Sequence, residues 1–322
     1  MPFLDLSLAE LREYRPTVAE PADFDSFWQS TLAEARSLAK PPTLTLVDAG
    51  LTSFEVYDVE FSGFGGHGIR GWFVVPANTE GPLPAVIRYH GYGGGRGLAH
   101  QDLVWAAAGY AYFIMDTRGQ GSNWGSGGDT PDPVGAGPST PGVMTRGIDD
   151  PNDYYYRRLY TDAALAVDAV RSFDRVDATR VSVCGGSQGG ALTLAAAALV
   201  PDVFAAMPDV PFMSHFERAV GFTDSFPYGE IVKYLSVHRG AEARVYETLS
   251  YFDGVNFAKR AVAPALYSVA LMDEICPPST VFASFNHYGG PAEIEIYPFN
   301  NHEGGGDYQW VRQAGWLTAL LA

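Results

Sequence analysis

A buried strand, a glycine-rich turn and an alanine-rich helix follow one another directly in the sequence VSVCGGSQGGALTLAAAAL, residues 181–199. Four glycines surround Ser187 and Gln188, where larger side chains would clash with the strand and helix beside so sharp a turn. The turn fits the pattern G-x-S-x-G, and its position between a strand and a helix is the context of a nucleophile elbow. A capping serine or a phosphate-binding turn is the alternative, but the lysine of a P-loop is missing.

Apolar runs and helical stretches alternate along the rest of the chain. Continuous apolar runs are typical of parallel strands that are covered on both faces. We expect such strands at 85–90, 111–116, 181–185, 205–211, 265–271 and 293–298. We expect helices at 21–39, 98–108, 154–173, 188–200, 278–288 and 307–321. Two earlier segments, 54–61 and 69–76, alternate apolar and polar residues as antiparallel strands do.

This order of elements predicts an α/β-hydrolase fold. Its sheet would be doubly wound and mostly parallel, with antiparallel leading strands and a ligand site at the carboxyl ends of the parallel strands. Two segments interrupt the alternation. Residues 119–152 are rich in Gly, Pro and Asp and predict a functional or interface loop, whereas residues 212–262 predict a small helical cap insertion. Nothing marks a second domain, so residues 1–322 are expected to form a single α/β-hydrolase domain.

Charge and cysteine content narrow the possible partners. The chain has 322 residues and a formal net charge of −16, which disfavours a nucleic acid or an anionic membrane and leaves a small molecule possible. Cys184 and Cys276 form no CxxC pair, so neither a disulfide framework nor a zinc cluster is predicted. We expect a cytoplasmic protein, because free thiols suit a reducing compartment and no signal or membrane-spanning pattern is found.

A serine nucleophile needs a histidine base, which in α/β-hydrolases follows both the serine and the acid along the chain. Four histidines follow Ser187. His302 lies in a glycine-rich loop directly after the last predicted strand, whereas the other three fall within predicted helices: His215, His238 and His287. His302 is therefore the candidate base, and a polar loop histidine without a catalytic role is the alternative.

Two aspartates compete to orient that base, each at the end of a predicted strand. Asp273 lies one strand-helix-strand step before His302, so that the loops carrying these two residues would be neighbours. Asp209 follows an earlier strand and stays open as the alternative, with Glu274 as a weaker rival. We favour Asp273.

An oxyanion hole needs two backbone N–H donors. The residue after the nucleophile, Gln188, supplies one, and the loop RYHGYGGGRG at 88–97 predicts Tyr92 as the other. His90 in this loop is expected to be structural. We expect Tyr92, Trp124 and Phe212 to form walls of the substrate pocket.

Three motifs, taken together, resemble those of the cephalosporin C deacetylases and acetyl xylan esterases of carbohydrate esterase family 7. They are RGQG at 118–121, GGSQGG at 185–190 and HE at 302–303, and RGQG is the most specific of them. Shorter matches extend the resemblance over nearly the whole chain: REYRP, FERAV, KYLSVHR, PPSTVF and NNHEGG.

The resemblance implies Ser187, Asp273 and His302 as the triad, with the N–H groups of Tyr92 and Gln188 as the oxyanion hole. It also implies removal of acetyl groups from short esters, including acetylated xylo-oligosaccharides and cephalosporin C. The resemblance implies a homo-hexamer, and it implies no cofactor or metal.

The remaining motif residues, Arg118, Gln120 and Glu303, are expected to brace neighbouring loops. Two rival functions stay open. A peptidase of the prolyl-oligopeptidase type shares the triad order, and a hydrolase fold can also serve as a non-catalytic binding protein.

Overall fold

A nine-stranded sheet runs through the computed structural model, which describes residues 5–135, 137 and 139–322. The strands are β1 (Thr43–Val47), β2 (Phe54–Ser62), β3 (Gly68–Pro76), β4 (Leu83–Tyr89), β5 (Ala111–Met115), β6 (Val176–Gly186), β7 (Ala206–Asp209), β8 (Ala265–Ala270) and β9 (Ala292–Tyr297). Their order across the sheet is β1-β2-β3-β5-β4-β6-β7-β8-β9. The strands from β5 to β9 pair in parallel, and β1 to β3 pair antiparallel at the leading edge. The predicted α/β-hydrolase fold with antiparallel leading strands is confirmed.

Helices cover both faces of this sheet. They are α1 (Leu8–Glu13), α2 (Phe24–Leu38), α3 (Val104–Ala107), α4 (Tyr155–Arg171), α5 (Gln188–Leu199), α6 (Phe216–Phe222), α7 (Tyr228–Val237), α8 (Glu242–Ser250), α9 (Gly254–Ala258), α10 (Pro278–Asn286) and α11 (Gly306–Leu321). In the described part of the chain, no helix has both the length and the apolar composition of a membrane span.

One predicted helix is shorter than expected, and one strand was not predicted. The helix expected at 98–108 is reduced to the four residues of α3, because the residues before it turn within a glycine-rich loop, where the indole of Trp72 donates to the carbonyl of Gly97 at 2.9 Å. Strand β1 was not predicted. Most of its side chains are exposed, so it lacks the buried face that gives an edge strand its pattern.

The core lies on both sides of the sheet. Helix α5 is apolar all round and buried for most of its length, as expected for a helix between the sheet and other helices. On the opposite face, Trp105 from α3 and Trp316 from α11 pack with sheet residues that include Tyr112 and Met207. The parallel strands are thereby fixed, and the loops that leave the carboxyl ends of β4, β6, β8 and β9 lie close together.

Candidate active site

The turn after β6 has the conformation that a nucleophile elbow requires. Ser187 has φ 59° and ψ −118°, a strained combination for a residue with a side chain. A Cβ on Gly189 would lie 2.4 Å from the carbonyl oxygen of Tyr89, and one on Gly185 would lie 2.7 Å from the same atom. Glycine is therefore needed at both positions. Gly186 is different, since its Cβ would meet only Asp209 Cβ, at 3.9 Å.

His302 and Asp273 are brought together by the loops after β9 and β8. The Nδ1 of His302 lies 2.9 Å from Oδ2 of Asp273, whose side chain is fully buried. The other oxygen, Oδ1, accepts hydrogen bonds from the N–H groups of Ile275 and Cys276, at 2.8 and 2.9 Å. Asp273 is thus held in place by its own loop, with one oxygen directed at the imidazole.

The rival acids have other partners. The carboxylate of Asp209 accepts hydrogen bonds from the side-chain amides of Gln309 and Gln313, at 3.0 and 2.8 Å, and burial raises its pKa to about 7. The N–H of Glu274 lies 3.4 Å from Oδ1 of Asn301, and its side chain lines a different, smaller pocket. Of the three acids, Asp273 is the one that contacts His302.

Ser187 and His302 line one cavity of about 1340 Å³. Of the three residues expected to form the substrate pocket, Tyr92 and Trp124 line this cavity, whereas Phe212 is fully buried against the ring of Tyr228 and is not among the lining residues. Further residues that were not predicted from the sequence also line the cavity, among them Phe226, Pro227, Glu230 and Ile275. No motif or periodicity marks these positions, because only the folded chain brings them to the site.

The side chain of Gln120 connects the two segments that carry the predicted oxyanion donors, Tyr92 and Gln188. Gln188 begins α5, where backbone N–H groups are free of helical partners. The side-chain oxygen of Gln188 accepts from the amide of Gln120 at 2.9 Å, and the oxygen of Gln120 accepts from the N–H of Gly93 at 2.6 Å. Gln120 therefore connects the nucleophile turn with the loop that carries Tyr92.

Comparison with known proteins decides the family. A family model described as "Acetyl xylan esterase (AXE1)" matches residues 1–320. The chain belongs to the acetyl xylan esterase family. Two solved structures are similar over nearly their whole length: the acetyl xylan esterase from Paenibacillus sp. R4 (41% identity, TM-score 0.92, covering 98% of this chain and 99% of that one) and acetyl xylan esterase 1 from Thermoanaerobacterium sp. JW/SL YS485 (35% identity, TM-score 0.90, covering 99% and 100%).

A curated relative, acetyl esterase Axe7A from Xylanibacter ruminicola, is 29% identical over 295 residues. The match covers 89% of this chain, which spans 65% of the length of that relative.

In this member of the acetyl xylan esterase family, the RGQG segment is braced by buried ion pairs. Arg118 is fully buried and binds both oxygens of Asp162, at 2.5 and 2.7 Å. It also contacts Asp132, which in turn pairs with Arg158 at 2.8 Å. These contacts join the end of β5, the 119–152 loop and helix α4, so Arg118 has the bracing position that the sequence predicts.

The histidine loop of this family member is held in a similar way by Glu303. One carboxylate oxygen accepts from the side-chain amide of Asn300 at 2.6 Å, and the other accepts from the N–H of Asn301 at 3.1 Å. The hydrogen bond from Asn300, the largest of several causes, lowers the pKa of Glu303 below its usual value. Glu303 thus contacts its own loop.

Among the described residues of this family member, one group of three side chains lies close enough together to bind a metal ion. Asp273, Cys276 and His302 offer donor atoms within 4.8 Å of one another. Both oxygens of Asp273 already accept hydrogen bonds, and burial raises the pKa of the Cys276 thiol well above its usual range. A thiol binds metals as the thiolate. The hydrogen bonds around Asp273 therefore explain this grouping better than metal ligation does.

Proposed function

We propose that the protein is a serine esterase that removes acetyl groups from short esters, with acetylated xylo-oligosaccharides and cephalosporin C as substrates. The observation that carries the proposal is that His302, paired with Asp273 at 2.9 Å, lines the same cavity as Ser187 at its strained turn. Membership in the acetyl xylan esterase family supports the acetyl ester as substrate.

In the proposed reaction, His302 takes the proton of Ser187 Oγ as that oxygen attacks the acetyl carbonyl. The N–H groups of Tyr92 and Gln188 stabilise the negative charge that forms on the carbonyl oxygen. His302 returns the proton to the departing alcohol, which leaves the acetyl group on Ser187. Water then attacks this ester with His302 as base, so that acetate leaves and the serine is regenerated. Asp273 keeps the imidazole in the required tautomer and stabilises its charged form.

The test of this function is the Ser187→Ala variant, assayed with 4-nitrophenyl acetate. We expect kcat to fall by at least about three orders of magnitude, because the nucleophile is lost. Ser214→Ala is the control, since Ser214 is a nearby buried serine that has no hydrogen-bond partner for its side chain among the described residues and lies outside the cavity lining. Near-normal turnover by Ser187→Ala would exclude the proposed mechanism.

The preference for acetyl esters depends on the cavity walls, Trp124 and Phe226 among them. We expect acetyl esters to be hydrolysed faster than butyryl and longer esters of the same alcohol. Acetylated xylo-oligosaccharides and cephalosporin C, assayed for acetate release, test the range of alcohols. Equal rates for all acyl chain lengths would contradict an acetylesterase.

The assembly, the domain organisation and the cellular location are part of this proposal. We infer a homo-hexamer from the resemblance to carbohydrate esterase family 7, and light scattering after size-exclusion chromatography tests it. Residues 212–262 act as a cap within a single domain, since Phe226, Pro227 and Glu230 of this segment line the cavity. A cytoplasmic location is supported by Cys184 and Cys276, which are both free thiols.

A further inference from the structure

A buried carboxylate in the 212–262 segment holds the loop that carries Tyr92. Glu230 lies near the start of α7 and is 3% exposed. Its Oε1 accepts from the phenol of Tyr92 at 2.5 Å, and its Oε2 accepts from the N–H of Met144 at 3.1 Å. The phenol oxygen of Tyr92 accepts in turn from the N–H of Val143 at 2.7 Å. One side chain thus connects three segments that are distant in sequence.

The backbone of the 119–152 loop packs tightly against this carboxylate. A Cβ on Gly142 would lie 2.3 Å from both carboxylate oxygens of Glu230, so the backbone of the 119–152 loop passes directly against them. The carbonyl of Glu230 also accepts from the hydroxyl of Thr140 at 3.1 Å. Loop and helix are therefore fixed to each other on both sides of the carboxylate.

Tyr92 is held at its other end as well. Its carbonyl accepts from the indole N–H of Trp124 at 2.7 Å, and the next residue, Gly93, donates its N–H to Gln120 at 2.6 Å. Both of those contacts come from the segment after β5. The side chain of Tyr92 is fixed through its phenol, which contacts Glu230 and the N–H of Val143.

We propose that Glu230 is a positioning residue of the esterase. By holding the phenol of Tyr92, it fixes the direction of the Tyr92 backbone N–H toward the oxygen that becomes negative during the reaction. This inference rests on the proposed function. Glu230 acts through Tyr92 and has no step of its own in the chemistry. A preorganised donor matters in the transition state more than in the bound substrate, so the effect belongs in kcat.

Three variants test this role. Glu230→Ala removes both acceptors, and we expect kcat for 4-nitrophenyl acetate to fall between about 10-fold and 100-fold, with KM changed less than about 3-fold. This is less than the loss of a donor, about 10²- to 10³-fold, because the Tyr92 N–H is displaced and not removed. Glu230→Gln keeps an acceptor for the phenol, so most of the lost activity should return. Tyr92→Phe, which keeps the backbone N–H, should resemble Glu230→Ala.

The double variant Glu230→Ala with Tyr92→Phe separates a positioning role from independent effects. If Glu230 acts through the phenol, the double variant should be no slower than the slower single variant. Effects on kcat that multiply would overturn the proposal. Should Glu230→Ala fail to fold, Tyr92→Phe carries the test, because it removes the same hydrogen bond to Glu230, and normal kcat in Tyr92→Phe would overturn the proposal.

Asp253→Asn is the control for a purely structural effect. Asp253 is a buried carboxylate in the same segment that accepts from the N–H groups of His215, Phe216 and Val255, each at 2.9 Å, and it is not among the residues that line the cavity. We expect this variant to be less stable, with kcat per folded enzyme unchanged. An equal loss of kcat in Asp253→Asn and Glu230→Ala would overturn the proposal, as would normal kcat in Glu230→Ala.

The Ser187→Ala variant distinguishes the two possible failures. If Ser187→Ala is inactive and Glu230→Ala retains normal kcat, only the positioning role is wrong. If Ser187→Ala retains activity, the proposed function itself is wrong.

Discussion

Asp273 is prepared for its proposed role by the two peptide N–H groups that bind its Oδ1. Because Ile275 and Cys276 both donate to that oxygen, the carboxylate cannot turn, and Oδ2 is left for His302. A carboxylate at this position favours the imidazole with its proton on Nδ1, which leaves Nε2 free to act as base toward Ser187.

Replacing Asp273 with asparagine should therefore produce the wrong tautomer of His302. The two peptide donors would hold the amide oxygen, so the amide NH₂ would face Nδ1 of His302 and move the imidazole proton to Nε2. We expect kcat for 4-nitrophenyl acetate to fall by about 10³- to 10⁴-fold with the fold intact. Glu274→Gln is the neighbouring control and should keep its activity. An Asp273→Asn variant with more than a tenth of normal kcat would exclude Asp273 as the acid.

Asp209 gives a pH dependence of stability that can be measured separately from activity. Burial raises its pKa to about 7, so below that pH the folded protein binds a proton that the unfolded chain does not bind until about pH 4. The stability of the wild type relative to Asp209→Asn should therefore fall as pH rises from 4 to 7, by up to about 1.4 kcal/mol per pH unit.

The measurement for Asp209 is urea denaturation of both proteins at pH 4, 5, 6 and 7. Asp174→Asn, which replaces an exposed carboxylate, serves as control and should show no such trend. A difference between wild type and Asp209→Asn that stays constant, or that reverses sign, would contradict a raised pKa.

At the scale of single residues, the sequence predicts some residues of the site and not others. Ser187 and His302 are marked by glycine-rich turns after strands, which is a local signal. Asp209 and Asp273 both follow predicted strands; spacing favours Asp273 with Asp209 as the alternative, and the hydrogen bonds of their side chains separate the two. The position of Phe212 could not be predicted, since burial against Tyr228 depends on how the 212–262 segment folds back.

At the scale of elements, the strand-turn-helix unit from β6 to α5 depends on close backbone contact. Gly189 belongs to α5, where alanine would normally be favoured by about 1 kcal/mol. Its Cβ would, however, lie 2.4 Å from the carbonyl oxygen of Tyr89 on β4, and a backbone atom cannot move aside cheaply. Helix α5 can pack this closely against β4 because Gly189 has no side chain.

A pair of glycine variants tests this contact. We expect Gly189→Ala to lower the free energy of unfolding by up to about 2 kcal/mol, because the overpacking cost of about 1 to 3 kcal/mol is offset by a gain of about 1 kcal/mol in helix propensity. Gly186→Ala, where a Cβ meets only Asp209 Cβ at 3.9 Å, should change it by less than about 0.5 kcal/mol. Chemical denaturation measures both. Equal effects of the two substitutions would show that steric contact is not the cause.

The elements themselves were predictable wherever burial leaves a pattern. Strands β4 to β9 are marked by apolar runs, and β2 and β3 by alternation. Strand β1 is nearly all exposed, and α3 is a single turn of four residues, so neither produces a period that a sequence can show. The bounds of β1 are set by its pairing with β2, and those of α3 by contacts of the loop before it.

At the scale of the whole molecule, the site is assembled from segments that only the complete fold brings together. The buried pairs of Arg118 fix the 119–152 loop to α4, while Glu230 fixes the same loop to the 212–262 segment. The sequence predicts that both segments interrupt the alternation of strands and helices, with 119–152 as a functional or interface loop and 212–262 as a cap. It does not predict the contact between them, because Met144 and Glu230 are 86 positions apart and no pattern links them.

The central claim is that Ser187 forms a covalent acyl intermediate. The most direct test is to label the intact protein with a fluorophosphonate, digest it and locate the adduct by mass spectrometry. We predict one modified residue, Ser187, with loss of esterase activity in proportion to labelling and no adduct in Ser187→Ala. An adduct on a different residue that accompanies the loss of activity, or full activity of the fully labelled protein, would contradict it.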